Sequence, residues 1–190
     1  EFFLGLASLI VDAIGIEGFQ HVQEKVAEIW IYLETMKALL RAAEADAHED
    51  AFGAFRPAWP PLDAARNLYM RWYPRIVEII QQLSASGIIA TVTEEDMKNP
   101  ELIEDIRRYF QAARAEAYDR IPLFRLAWDA ALSAFAGRQV QYERFFFGDP
   151  VRIAGVIFQK HDRTPYMEKV REFLKQMKEE AFAQAEEARP

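Results

Sequence analysis

Between Phe19 and Ala47 the apolar residues Phe19, Val22, Val26, Ile29, Leu33, Met36, Leu40, Ala43 and Ala47 recur at alternating intervals of three and four. That spacing lines one face of an α-helix, whereas a strand would alternate every second residue. Sustained over this length, it describes a packing seam in a helix bundle or coiled coil. Trp30, Tyr32 and Leu39 widen the stripe beyond a two-helix contact, so several neighbouring helices are expected. At about 1.5 Å per residue the helix would be roughly 45 Å long and should form the spine of the domain.

The remaining segments read the same way. Phe2 to Ala13 is a short apolar helix ended near Gly15. Ala51 to Pro61 is a loop punctuated by Gly53, Pro57, Pro60 and Pro61. A third helix is expected over Leu62 to Ser84, kinked or restarted at Pro74, where a backbone donor is missing. Gly87 to Val92 is the one strand-like piece. Thr93 opens a short acidic helix start, and Asn99-Pro100 precedes a helix over about Glu101 to Ala115. A long helix is expected from about Arg120 to Phe147, a shorter one from Asp149-Pro150 to Phe158, and a last one behind Thr164-Pro165. Its apolar face fades after Met177, so residues 178–190 are expected to fray. The chain therefore reads as all-α: an up-and-down bundle of four or more long helices, taken as one domain over residues 1–190.

The totals exclude several functions. With 190 residues, 51% of them hydrophobic, the chain buries a real core. A net charge of −7 argues against a nucleic-acid partner, which requires a clustered basic surface. With no cysteine, thiolate metal sites, iron–sulfur ligation and disulfides are excluded, and a reducing, cytoplasmic location is expected. The apolar run Phe2 to Ile16 contains Asp12, is too short to span a bilayer and has no basic residues before it, so no membrane association is expected. It opens directly on Glu1, and a piece of a longer protein is expected.

Catalytic motifs are missing too. Bundle di-iron sites use Glu-x-x-His, but Gly18, Ala45 and Phe158 stand three residues before His21, His48 and His161. There is no Gly-x-Ser-x-Gly, no Gly-x-Gly-x-x-Gly and no Walker loop. No catalytic residue and no metal ligand are assigned. The unusual stretch is Gly137 to Arg152, where Phe145, Phe146 and Phe147 are followed by Gly148-Asp149-Pro150. Consecutive helical residues point about 100° apart, so three phenylalanines cannot share one core face. At least one should meet a partner, a ligand or another subunit. Gly148 permits positive φ, Asp149 can cap the helix that Pro150 begins, and the open amides of such a start suit a phosphate or another polar group. Arg138, Arg144 and Arg152 lie within reach of this corner. A plain helix-to-helix corner is the competing reading.

Three segments together carry a resemblance: Gly18-Phe19-Gln20-His21-Val22-Gln23-Glu24-Lys25-Val26, Arg66-Asn67-Leu68-Tyr69 running to Leu83-Ser84-Ala85-Ser86-Gly87, and Gln141-Tyr142-Glu143-Arg144-Phe145 through Gly148-Asp149-Pro150-Val151-Arg152. The chain resembles the C-terminal region of the large oxygenase component of the 4-hydroxyphenylacetate 3-monooxygenase family. The resemblance implies an acyl-CoA dehydrogenase-like fold of which this is the final bundle, and a homotetramer assembled through it. It implies reduced FAD supplied by a separate flavin reductase, and O2-dependent hydroxylation of a phenolic substrate ortho to its hydroxyl. Most phenol-binding and oxygen-activating residues would lie in the upstream part of the same protein, and this piece alone would be inactive. Residue by residue, it places Phe147, Gly148, Asp149 and Pro150 at a flavin-contacting loop. The Ser84–Gly87 turn falls where acyl-CoA dehydrogenases carry a glycine pair, but serines stand here and it is not counted in the site. The related iron–sulfur dehydratases are disfavoured because the chain has no cysteine. The alternative function is a non-catalytic helical oligomerisation module.

Overall fold

The computed structural model describes the backbone of residues 1–187 and the side-chain environment of residues 1–179. It divides into two compact units, Glu1–Ile153 and Ala154–Pro190. The first contains α1 (Phe2–Ile14), α2 (Gln20–Ala45), α3 (Trp59–Ser84), α4 (Glu94–Lys98), α5 (Ile103–Tyr109), α6 (Ala117–Ala131) and α7 (Ala134–Phe145). The boundary falls within α8 (Pro150–Lys160), and α9 (Thr164–Glu187) completes the second unit. A two-residue hairpin, β1 (His48–Glu49) with β2 (Phe55–Arg56), is the sole pairing of strands among the described residues. The chain is thus an all-α bundle, as expected.

Its spine is α3, however, and not α2. Helix α3 packs against α1, α2, α6 and α7. It buries Ala65, Met70, Tyr73, Val77, Ile79, Ile80 and Leu83, which point in several directions around its axis. A helix apolar on more than one side belongs inside a bundle. From the seam of α2 only Val22, Ile29 and Ala43 are buried, while Leu40 and the flanking Trp30 and Ile31 are exposed. The seam periodicity is real, but Val26, Leu33 and Met36 are only partly covered and Phe19 and Leu40 are exposed. Leu6, Ala7, Ile10 and Val11 of α1, together with Phe124, Ala127 and Ala131 of α6, close the core around α3.

Element boundaries follow local chemistry. Gly15 ends α1 at φ 76°, donating its N–H to the carbonyls of Val11 and Asp12. Helix α3 starts earlier than expected, at Trp59, and absorbs Pro60 and Pro61 in its first turn, where the missing donors have no helical acceptor to lose. It also continues through Pro74. The single helix expected from Arg120 to Phe147 is two. Ser133 breaks it, its Oγ accepting from the Ala136 N–H at 3.1 Å and donating to the Asp129 carbonyl at 2.8 Å, while Gln81 donates to the Ala131 carbonyl left at the end of α6. The expected strand at Gly87 to Val92 is instead a 3-10 turn over Ala85–Ile88 followed by loop. Thr93 caps α4 in a reciprocal box with Asp96. In the second unit Asp162 accepts from the Thr164 N–H at 2.9 Å, and Arg163 stacks over Phe158 at 3.7 Å. Helix α9 is described to Glu187, within the span 178–190 where fraying was expected; residues 188–190 lie outside the described residues.

A clasp joins α2 to α3. The Arg75 guanidinium meets both oxygens of Glu28 at 2.9 Å, and the Tyr32 hydroxyl donates to Glu28 while its ring stacks on Trp72 at 4.6 Å. Arg75 holds the Glu28 carboxyl below the usual range, and burial together with Glu28 pushes the Tyr32 phenol up to about 12. A carboxyl depressed on folding contributes stability above its unfolded pKa and loses it as pH falls through the folded value. Glu28→Gln should therefore cost about 1 kcal/mol at pH 7 and progressively less below about pH 4.5, measured by urea unfolding across that range.

Gly87 sits against the core. A Cβ added there would lie 2.6 Å from the Phe124 ring. Gly87→Ala should destabilise the bundle by roughly 1–3 kcal/mol through overpacking, read as a lower chemical-denaturation midpoint.

Candidate functional site

The candidate corner is built by a helix stop and restart within four residues. Helix α7 ends at Phe145, and the Gly148 N–H closes the turn on the Phe145 carbonyl at 2.9 Å. Gly148 has φ +114°, a backbone state that side-chain-bearing residues seldom adopt. The Asp149 carboxylate then accepts from the Arg152 N–H at 2.9 Å, and its carbonyl accepts from Ile153 at 2.9 Å, so Asp149 is the cap of α8 and Pro150 its first residue. All four predicted site residues, Phe147, Gly148, Asp149 and Pro150, therefore lie in one continuous turn. The roles expected of Gly148 and Asp149 in shaping it are those the backbone shows.

None of the three phenylalanines is buried. Phe146 bridges Tyr142 at 5.2 Å and Phe147 at 4.9 Å, the second contact edge-to-face. Phe147 is the member that turns toward α3. It walls an open cavity of about 500 Å³ with Met36 and Leu40 of α2 and Trp59, Arg66 and Tyr69 of α3. The far wall of this cavity is the half-buried Met36 and the exposed Leu40 of the α2 seam.

The cationic partners differ from those expected. Arg138, Arg144 and Arg152 are exposed, and Arg144 lines a different opening beside Pro74, Gln81 and Val140. The arginine at the Phe147 cavity is Arg66, which sequence reasoning gave no role. Its signal was the pair Asp63 and Arg66, one helical turn apart within an apolar stretch. The aspartate is 2% exposed and ion-paired to Arg66, and the guanidinium carbon lies 5.8 Å from the Trp59 ring centroid. Next to them Asn67 donates to the Asp63 carbonyl at 2.8 Å.

Behind the cavity, burial and the charge of Glu143 on α7 push the Tyr69 phenol well above its ordinary range, and the same two causes raise Tyr73. Glu143 also accepts from Gln139 at 2.7 Å. Tyr69 therefore presents a neutral hydroxyl at any physiological pH. Among the described residues no cluster of three potential metal ligands occurs, and no helix is long and apolar enough to cross a membrane.

The family model for the C-terminal domain of 4-hydroxyphenylacetate 3-hydroxylase, HpaB, matches residues 1–175. The chain belongs to this family. It is 49% identical to the 4-hydroxyphenylacetate 3-monooxygenase oxygenase component of Thermus thermophilus over 93% of its length, covering 36% of that protein. It is equally 49% identical to the oxygenase component of a Geobacillus species, covering 35% of it. The chain thus spans about a third of the length of the curated relatives it matches. Crystal structures of an HpaB oxygenase component, including complexes with FAD and with FAD plus 4-hydroxyphenylacetate, superpose with a TM-score of 0.90 at 48% identity, covering 93% of this chain and 37% of theirs. An archaeal 4-hydroxybutyryl-CoA dehydratase shares the fold, with a TM-score of 0.80 at 18% identity.

Proposed function

We propose that this HpaB-family chain is the C-terminal helical domain of the oxygenase component of a two-component aromatic monooxygenase. The whole protein would hydroxylate 4-hydroxyphenylacetate, or a similar phenol, ortho to its hydroxyl. Bound reduced FAD, delivered by a separate flavin reductase, would supply the electrons that activate O2. The observation that carries this reading is 49% identity across 93% of the chain to a 4-hydroxyphenylacetate 3-monooxygenase oxygenase component. It favours the oxygenase over a non-catalytic oligomerisation module.

In this reading Phe147, Gly148, Asp149 and Pro150 form one wall of the flavin pocket. Three features support the fit. Gly148 adopts positive φ, which makes the sharp turn that sets Phe147 beside the start of α8. The start of α8 offers its dipole to a polar or phosphate group. Phe147 contributes apolar surface that excludes water from a bound ring. This chain's residues bind and orient; the phenol is held and oxygen activated by the upstream part of the protein. Exposed apolar residues such as Trp30, Ile31 and Phe135 suit assembly into a homotetramer, and a cytoplasmic enzyme is the matching setting.

In the full-length protein, reduced FAD, O2 and 4-hydroxyphenylacetate should yield the ortho-dihydroxy product. A full-length, FAD-loaded protein that forms no catechol from this or related phenols would defeat the proposal. Gly148→Val should weaken FAD binding by roughly tenfold, because a β-branched residue at φ +114° must re-form the turn, while far-ultraviolet circular dichroism still reports a folded helical protein. An unchanged flavin affinity would remove the turn from the site.

A further inference from the structure

Helix α7 withdraws few residues from water: Ala136 is buried, Gln139, Val140 and Glu143 are half-buried, and the rest are exposed. Ala136, Val140 and Glu143 follow one another at intervals of four and three, which is one face of a helix. That face is the one turned to α3, since Val140 packs against the core there. Glu143 is its odd member, a carboxylate where an apolar side chain would pack. The donors that meet it are neutral. The Gln139 amide donates from one turn earlier at 2.7 Å, and the Tyr69 hydroxyl of α3 is its hydrogen-bond partner across the helix interface. Its charge also reaches Tyr73, one turn along α3, whose ring centroid lies 5.9 Å from that of Tyr69. Half-burying a carboxylate among neutral donors costs stability that an apolar residue would not. What a hydrogen bond adds is direction, which apolar contact lacks. Direction matters four residues further on, where Phe147 lines the same cavity as Tyr69.

We propose that Glu143 is a positioning residue: by accepting from Tyr69 it fixes the end of α7 on α3, and so sets where Phe147 and the turn behind it stand. The inference rests on the reading that this turn walls the flavin pocket, and it names what holds the wall in place. Glu143 acts through Tyr69 and the helix, not by touching the cofactor. Gln139 braces the carboxylate from its own helix, so that its free oxygen valence points across to α3.

The test uses the full-length protein labelled with 4-fluorophenylalanine at position 147 alone. It reads the fluorine resonance, FAD binding and the chemical-denaturation midpoint together. The double variant Tyr69→Phe with Glu143→Met replaces both partners by apolar groups, so the midpoint should hold or rise. The resonance should nevertheless move, and the FAD dissociation constant should rise by roughly tenfold. Glu143→Gln keeps an acceptor for Tyr69 and should restore the parent resonance, with FAD affinity within about threefold of the parent. A role in stability alone gives a lower midpoint with the resonance in place, and that result overturns the proposal. So does a double variant that matches the parent in resonance and, within about twofold, in FAD affinity. Should the double variant not fold, Tyr69→Phe alone, which removes one hydroxyl, decides by the same readings. A moved resonance with unchanged FAD affinity upholds the positioning and removes the turn from the flavin site. If the parent binds no FAD, the flavin reading falls and the resonance still decides the positioning.

Discussion

The structure depends on the burial of α3 on more than one side. Tyr73, Val77, Ile79, Ile80 and Leu83 cannot be covered by a single neighbour, so α1, α2, α6 and α7 must surround the helix. Each aliphatic side chain removed from water contributes roughly 1.5–3 kcal/mol, and the neighbours are held by that burial more than by intrinsic helix propensity. The position of the candidate site is a consequence. Packing α7 along α3 delivers the Phe145–Pro150 turn to the start of α3, where Trp59, Asp63 and Arg66 stand, and packing α2 along the other side supplies Met36 and Leu40. No residue of the site needs its own scaffold.

Most of the helices were legible because periodicity and stop signals agree locally. Gly15, Thr93, Gly148 and Asp149 do what their residue types suggest. The failures have a common cause: tertiary contacts the local pattern does not encode. Ser133 breaks the long helix because its hydroxyl satisfies backbone on both sides and Gln81, about 50 residues earlier in the chain, takes the freed carbonyl. Gly87 to Val92 has strand-like composition, but it pairs with no strand among the described residues, and Ala85–Ile88 forms a 3-10 turn in which a Cβ at Gly87 would run into the Phe124 ring. The α2 seam was identified correctly as periodic and incorrectly as the centre, since periodicity says that a face wants cover and not which chain provides it. Arg66 stood in a matching segment but was given no role for the same reason. Its importance lies in the cavity between α2, α3 and the Phe147 turn, which no sequence interval displays.

The chain leaves apolar residues of α2 and Phe145, Phe146 and Phe147 exposed. Its family relatives are about three times longer. A cavity with aromatic walls lies beside a glycine turn at positive φ. Among the described residues no group of three potential metal ligands occurs.

The most direct measurement is a crystal structure of the full-length protein with FAD. The expected result places part of the flavin cofactor within van der Waals distance, about 4 Å, of Phe147 and the Gly148 backbone. Flavin bound elsewhere, with the Phe147–Pro150 turn buried beneath protein side chains, would contradict the account.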